Sequence, residues 1–187
     1  MKKNPIYIYG ALIVLEGVFL LFSRFYTFHI LQYSLGITLI VAALVGFLKA
    51  LSRQRNQVEF TYHEIHALTI FVYGLSVLLF ANTLEVLTNF SVFLFIFYTF
   101  SEIIFCNWLF NLHRGVMQKI VFFRVFLALL VGIGTIILMY YDGVDKSRIM
   151  EGFGVIFIII GVNILLYIPA MKPKELERFE NNAPENP

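Results

Sequence analysis

The stretch Leu87–Asn111 reads LTNFSVFLFIFYTFSEIIFCNWLFN, an apolar run whose single charged residue, Glu102, stands well inside it. A membrane-spanning helix needs about 20 predominantly apolar residues, and this run exceeds that length. It shows no polar face of the kind that a surface helix of a soluble protein turns to water. A carboxylate in hydrocarbon costs about 2.5 kcal/mol or more, so intramembrane acids face a bundle interior or a polar pathway. This run therefore gives both the class of the fold and its first candidate functional residue.

Outward from it the same pattern recurs. Six apolar segments are long enough, or nearly so, to cross a bilayer: 6–23, 28–51, 64–81, 87–111, 119–140 and 149–171. The first and third are the shortest. The chain of 187 residues is 59% hydrophobic and 14% charged, against roughly 25% charged residues in soluble domains. The expected fold is an all-α integral membrane protein with one transmembrane domain over 1–171. Beyond it, the polar segment 172–187 (KPKELERFENNAPENP) reads as a disordered cytoplasmic tail. Tight connections at Arg24–Thr27, Asn82–Glu85 and Tyr141–Lys146 group the six spans as three antiparallel hairpins, about 6–51, 64–111 and 119–171.

Basic residues set the orientation, because Lys and Arg near span ends stay on the cytoplasmic side. With the N-terminus inside, Lys2, Lys3, Lys49, Arg53, Arg55, Arg114, Lys119, Arg124, Lys172, Lys174 and Arg178 all fall on the inner face. Only Arg24, Lys146 and Arg148 fall outside. Both termini are then cytoplasmic, in a multi-pass protein of the plasma (inner) membrane. Lys2 and Lys3 before an apolar run suggest a signal peptide, but no small-residue cleavage site follows, so the first span reads as a retained anchor.

The hairpins look like copies of one unit. Gly17, Gly74 and Gly132 occupy matching places in the odd spans, 57 and 58 residues apart, and Leu35, Leu94 and Phe153 in the even spans are each 59 apart. Equal orientation of the copies implies a parallel triplicate about an axis near the membrane normal, unlike an inverted repeat.

The segments Gly10-Ala-Leu-Ile-Val-Leu-Glu-Gly17, Phe97-Tyr-Thr-Phe-Ser-Glu-Ile-Ile104 and Phe153-Gly-Val-Ile-Phe-Ile-Ile-Ile-Gly161 resemble the helix patterns of the HdeD-like short-repeat membrane proteins. That six-span family is named for a bacterial acid-resistance protein, and the resemblance covers about residues 8–168. The chain departs from the family in lacking a proline in its hairpin turns and in carrying Ile103 where a glycine follows the acid. The resemblance implies a non-enzymatic membrane protein linked to envelope or acid-stress tolerance, and it carries over no catalytic residue.

Glu16 and Glu102 are the two acids deepest in the apolar runs. Glu16 lies ten residues beyond Ile6 and Glu102 ten before Leu112. At 1.5 Å per residue, both stand about 15 Å from the cytoplasmic face. Facing one cavity, they would share a proton or flank a cation, which gives the alternative function of a small transporter or channel. Facing the backbone or Tyr73, Tyr98, Thr99 or Asn163, each would be neutral and structural. No cation is evident in the sequence at their level. Arg124, five residues into the fifth span, is expected to snorkel to the inner headgroups, with Glu102 as its less favoured partner.

His63 and His66 share a helix face but lack an evident third metal ligand, so they read as interfacial, as does His113 beside Arg114. Asp142, Asp145 and Glu151 read as turn and surface residues. Cys106, the only cysteine, excludes an intrachain disulfide and reads as a packing residue. Tyr7, Tyr9, Tyr26, Tyr33, Tyr62, Trp108, Tyr140, Tyr141 and Tyr167 lie near span ends, as an aromatic belt requires. No metal or cofactor is implied. The expected partners are the lipid bilayer and a second copy or another membrane protein. Nucleic acid is not expected, since the basic residues are dispersed anchors.

Overall fold

The structure is a computed structural model that describes residues 5–52, 58–112, 118–140 and 146–167. The tail 172–187, the loop residues Arg53, Arg55, His113 and Arg114, and the acids Asp142 and Asp145 lie outside the described residues, as do the side chains of His63 and Glu64. Six helices follow one another: α1 (Pro5–Leu21), α2 (Phe28–Ser52), α3 (Val58–Phe80), α4 (Leu84–Leu112), α5 (Gln118–Tyr140) and α6 (Lys146–Leu165). No strand occurs among the described residues. Pro5 opens α1, where its missing N–H would have no intrahelical partner in any case.

Four of these helices carry segments long and apolar enough to cross a bilayer: Phe28–Phe47, Leu84–Phe110, Gln118–Tyr140 and Arg148–Leu165. The apolar parts of α1 and α3, Ile6–Leu21 and Ile65–Phe80, are shorter. At 1.5 Å per residue each is about 24 Å long, below the roughly 30 Å of a hydrocarbon core. The third helix starts six residues before the expected 64 because Val58 and the polar residues after it continue the same helical turn.

The two described turns are tight. Between α1 and α2 the chain makes a single 3-10 turn, Ser23–Phe25. Between α3 and α4 only residues 81–83 intervene. Here the helix starts inside the expected turn, because the Thr83 hydroxyl accepts the Val86 N–H at 3.3 Å and so caps one of the free donors of the first turn. Glu85 lies in that first turn, where the helix dipole favours an acid.

Each helix packs on its neighbours in sequence, and α6 returns to α1. The most extensive contacts join α1 to α6 and α2 to α3, seams that run between the expected hairpins, whereas the third such seam, α4 to α5, is about as extensive as α1 to α2 within a hairpin. Glycine explains two of these seams. A Cβ at Gly17 would lie 2.7 Å from the Gly154 carbonyl oxygen, and one at Gly36 would lie 3.1 Å from that of Gly74. Small residues let helix backbones meet where lipid supplies no hydrophobic drive. In the third seam Gly132 faces the Thr99 side chain instead, at 3.2 Å.

The core between the seams holds Leu35, Leu39, Phe95, Phe153 and Phe157, all buried. The Phe95 ring meets Phe153 and Phe157 edge-on, with centroids 5.7 and 5.2 Å apart, the arrangement the ring quadrupole favours. Every helix also exposes bulky apolar side chains, among them Leu15, Ile37, Val72, Phe93, Phe122 and Val155.

Candidate functional site

Adjacent helices run antiparallel, so the early turns of α1, α3 and α5 lie level with the late turns of α4 and α6. At that level the odd helices contribute Tyr9, His66 and Arg124, α4 contributes Tyr98, Glu102 and Cys106, α6 contributes Asn163, and Tyr167 follows just after α6. All eight are buried.

They form one connected cluster. The Tyr9 hydroxyl and His66 Nδ1 are hydrogen-bonded at 2.9 Å, and the His66 ring packs on Tyr98 with centroids 5.3 Å apart. Asn163 Nδ2 donates to the Tyr98 hydroxyl at 2.6 Å, and Arg124 Nε donates to Asn163 Oδ1 at 3.2 Å. The guanidinium reaches Glu102 Oε1 at 2.6 Å, and the Cys106 thiol donates to the same oxygen at 3.4 Å. The rings of Phe105 and Tyr167, with centroids 6.0 Å apart, lie 5.6 and 5.3 Å from the guanidinium carbon, within cation–π range.

Several expectations change here. Arg124 does not snorkel; it is 2% exposed and paired with Glu102. The antiparallel α4/α5 seam puts the carboxylate within its reach, and a buried charge is strongly destabilising without a partner. Glu102 thus has a cation at its own level after all. Tyr9 and Tyr167 are buried cluster members rather than belt residues, whereas Tyr26, Tyr33 and Tyr140 are exposed. His66 is buried rather than interfacial, and Cys106 adds a donor to its packing role.

Glu16 is placed differently. It is 3% exposed, and its Oε2 accepts the Ser34 hydroxyl from α2 at 3.0 Å. Thr38, one turn on, stands beside the same carboxyl group. Its other oxygen, Oε1, is buried with no hydrogen-bond partner among the described residues. Tyr73 on α3 lies within electrostatic range. Tyr73 and Ser91 are hydrogen-bonded at 2.7 Å. Because Ser91 donates its own proton to the Leu87 carbonyl, Tyr73 is the donor in that pair. Glu16 thus keeps company with α2 and α3, and Glu102 with α5.

A third polar contact closes the opposite end of the helices. Arg24, in the turn after α1, pairs with Glu151 on α6 at 2.5 Å. Among the described residues no group of three or more His, Cys, Asp or Glu side chains is placed to hold a metal ion.

Sequence reading singled out Glu102, Arg124 and Asn163 of the cluster but gave Tyr9 and His66 other roles. A usable signal existed. Tyr9, His66 and Arg124 are 57 and 58 residues apart, the same intervals as Gly17, Gly74 and Gly132. Polar residues recurring in the glycine register belong at one level of the bundle. Comparison of the chain with protein-family models, with curated proteins and with solved structures finds no match.

Proposed function

We propose that this chain is a six-span integral membrane protein of the plasma (inner) membrane, built from three parallel copies of one hairpin. Its role is non-enzymatic support of envelope integrity or acid-stress tolerance, in the manner of the HdeD-like proteins it resembles. The apolar side chains that α1 and α3 expose support their counting as spans, as does their extensive packing on the spanning helices α6 and α2. Six spans leave both termini cytoplasmic. Reporter fusions after Pro187 and at Thr83 should therefore report opposite sides of the membrane, and the same side for both would remove the six-span topology.

The seams support the triplicate. A threefold arrangement requires a seam between each pair of successive hairpins, and α2/α3, α4/α5 and α6/α1 supply them, the first and last of these most extensively. In two of these seams the odd-helix glycine, Gly74 or Gly17, meets the residue directly after the even-helix anchor, Gly36 or Gly154. In the third, Phe95 holds that place.

The observation that carries the functional reading is the buried cluster of Tyr9, His66, Tyr98, Asn163, Arg124 and Glu102. It ties all three hairpins together through bonds that depend on protonation state. Deletion of the gene in its source organism should reduce survival of acid challenge. The wild-type gene should restore survival, and a gene carrying Arg124→Leu should not. Unchanged survival in the deletion strain would remove this reading.

A second reading, a small proton or cation transporter, is favoured by one observation, the buried and unpartnered Oε1 of Glu16. Protein reconstituted in vesicles with a pH-sensitive dye inside should then show a proton leak that Glu16→Gln abolishes.

A further inference from the structure

We infer that Glu16 is a reversible proton-binding site, in which an exchangeable proton fills the place that Arg124 fills at Glu102. The inference rests on the second reading above and names the ion and the residues that hold it. Both carboxyl groups are almost fully buried, and a buried anion needs a counter-charge or a full set of donors. Glu102 has a guanidinium at 2.6 Å. Glu16 has the Ser34 hydroxyl on one oxygen, Thr38 beside it, and no hydrogen-bond partner on Oε1 among the described residues. A proton on Oε1 leaves the group neutral and removes the cost of an uncompensated buried charge.

The surroundings favour a proton over a metal ion. A hard cation such as calcium takes about six or more oxygen ligands, whereas among the described residues the carboxyl group is joined only by the hydroxyls of Ser34 and Thr38. Tyr73 is the titratable side chain facing the site from α3. At this level α6 presents Gly154 and Ile158 to α1, neither of which can carry charge. Ser34 and Thr38 are only half-buried, so the site lies beside the outer side of the α1/α2 seam.

Dicyclohexylcarbodiimide tests this without assuming any activity. This apolar reagent adds a protonated carboxyl group across its C=N bond: the acid's proton goes to one nitrogen and its oxygen bonds to carbon, and in a dry site the acyl group then migrates from that oxygen to nitrogen, leaving a stable N-acylurea. The full chain in native membranes is treated across a range of pH and the modified glutamates are located by mass spectrometry. Glu16 should carry the label and Glu102 should not. Labelling should fall about tenfold per pH unit once the acid ionises, and added sodium should not slow it.

Ser34→Ala removes a donor that favours the ionised form, so its labelling should persist to higher pH. That variant keeps the test valid even where Glu16→Gln fails to fold. An unlabelled Glu16 at every pH, a Glu102 labelled as fast, or protection by sodium would each overturn the inference. Proton flux is not read. A labelled Glu16 would stand even if vesicles showed no leak, and an unlabelled one would remove the site whatever the vesicles showed.

Discussion

Glu16 on α1 and Glu102 on α4 are the same side chain, each ten residues from the helix end expected on the inner side, and each almost fully buried. Their surroundings diverge. Glu102 lies opposite Arg124 in a seam between adjacent antiparallel helices, with the Arg124 guanidinium set against the neighbouring rings of Phe105 and Tyr167 and bonded to Asn163. Glu16 lies beside the hydroxyls of α2, with one oxygen unpartnered. Depth in the membrane therefore does not fix what a buried acid does. The neighbouring helix decides, by supplying a fixed cation or only hydroxyl groups.

The largest expected effect comes from breaking the fixed pair. Arg124→Leu leaves Glu102 buried without its counter-charge, which costs about 3–5 kcal/mol. Thermal unfolding in detergent should show the loss, and Glu102→Gln with Arg124→Leu should recover much of it. A double variant as unstable as the single one would mean that the pair is not the lock that the distances suggest.

Next comes the seam behind Glu16. Gly17→Val puts side-chain atoms where the Gly154 carbonyl already stands, so α1 and α6 must separate, at about 1–3 kcal/mol for overpacking. Gly132→Ala meets only the Thr99 side chain, at 3.2 Å, and should cost clearly less in the same assay. Equal costs would erase the distinction between the glycine seams and the third one.

His66→Phe should cost about 1 kcal/mol, because the Tyr9 hydroxyl loses its partner while the ring packing on Tyr98 is kept. Glu16→Gln should change stability least, by less than about 1 kcal/mol, since glutamine can still accept from Ser34 and carries no charge to neutralise. If Glu16→Gln destabilises as much as Arg124→Leu, Glu16 also holds a charge that the helices require, and the contrast between the two acids fails.

The helices were legible because apolar length is a local property. The run 87–111 alone implies a helix long enough to cross a bilayer, and α2, α4, α5 and α6 carry segments of that kind. The helix ends were less legible. Thr83 caps α4 inside the expected turn, and α3 begins at Val58, since capping and helix continuation outweigh the apolar boundary. The glycine register was legible too, but its consequence was not. The same spacing picks out Tyr9, His66 and Arg124, yet only side-chain packing shows that a tyrosine near a helix start turns inward while Tyr26 and Tyr33 stay exposed.

By itself the sequence determined an all-helical chain, its apolar segments and the two deep acids, because hydrophobic length and charge position are read residue by residue. The tertiary structure alone decided which seams are tight, that Arg124 turns to Glu102 instead of to the headgroups, and that Glu16 has no such partner. Those outcomes depend on which residues of other helices stand at the same level, and residues distant in the chain meet there only after the helices have packed.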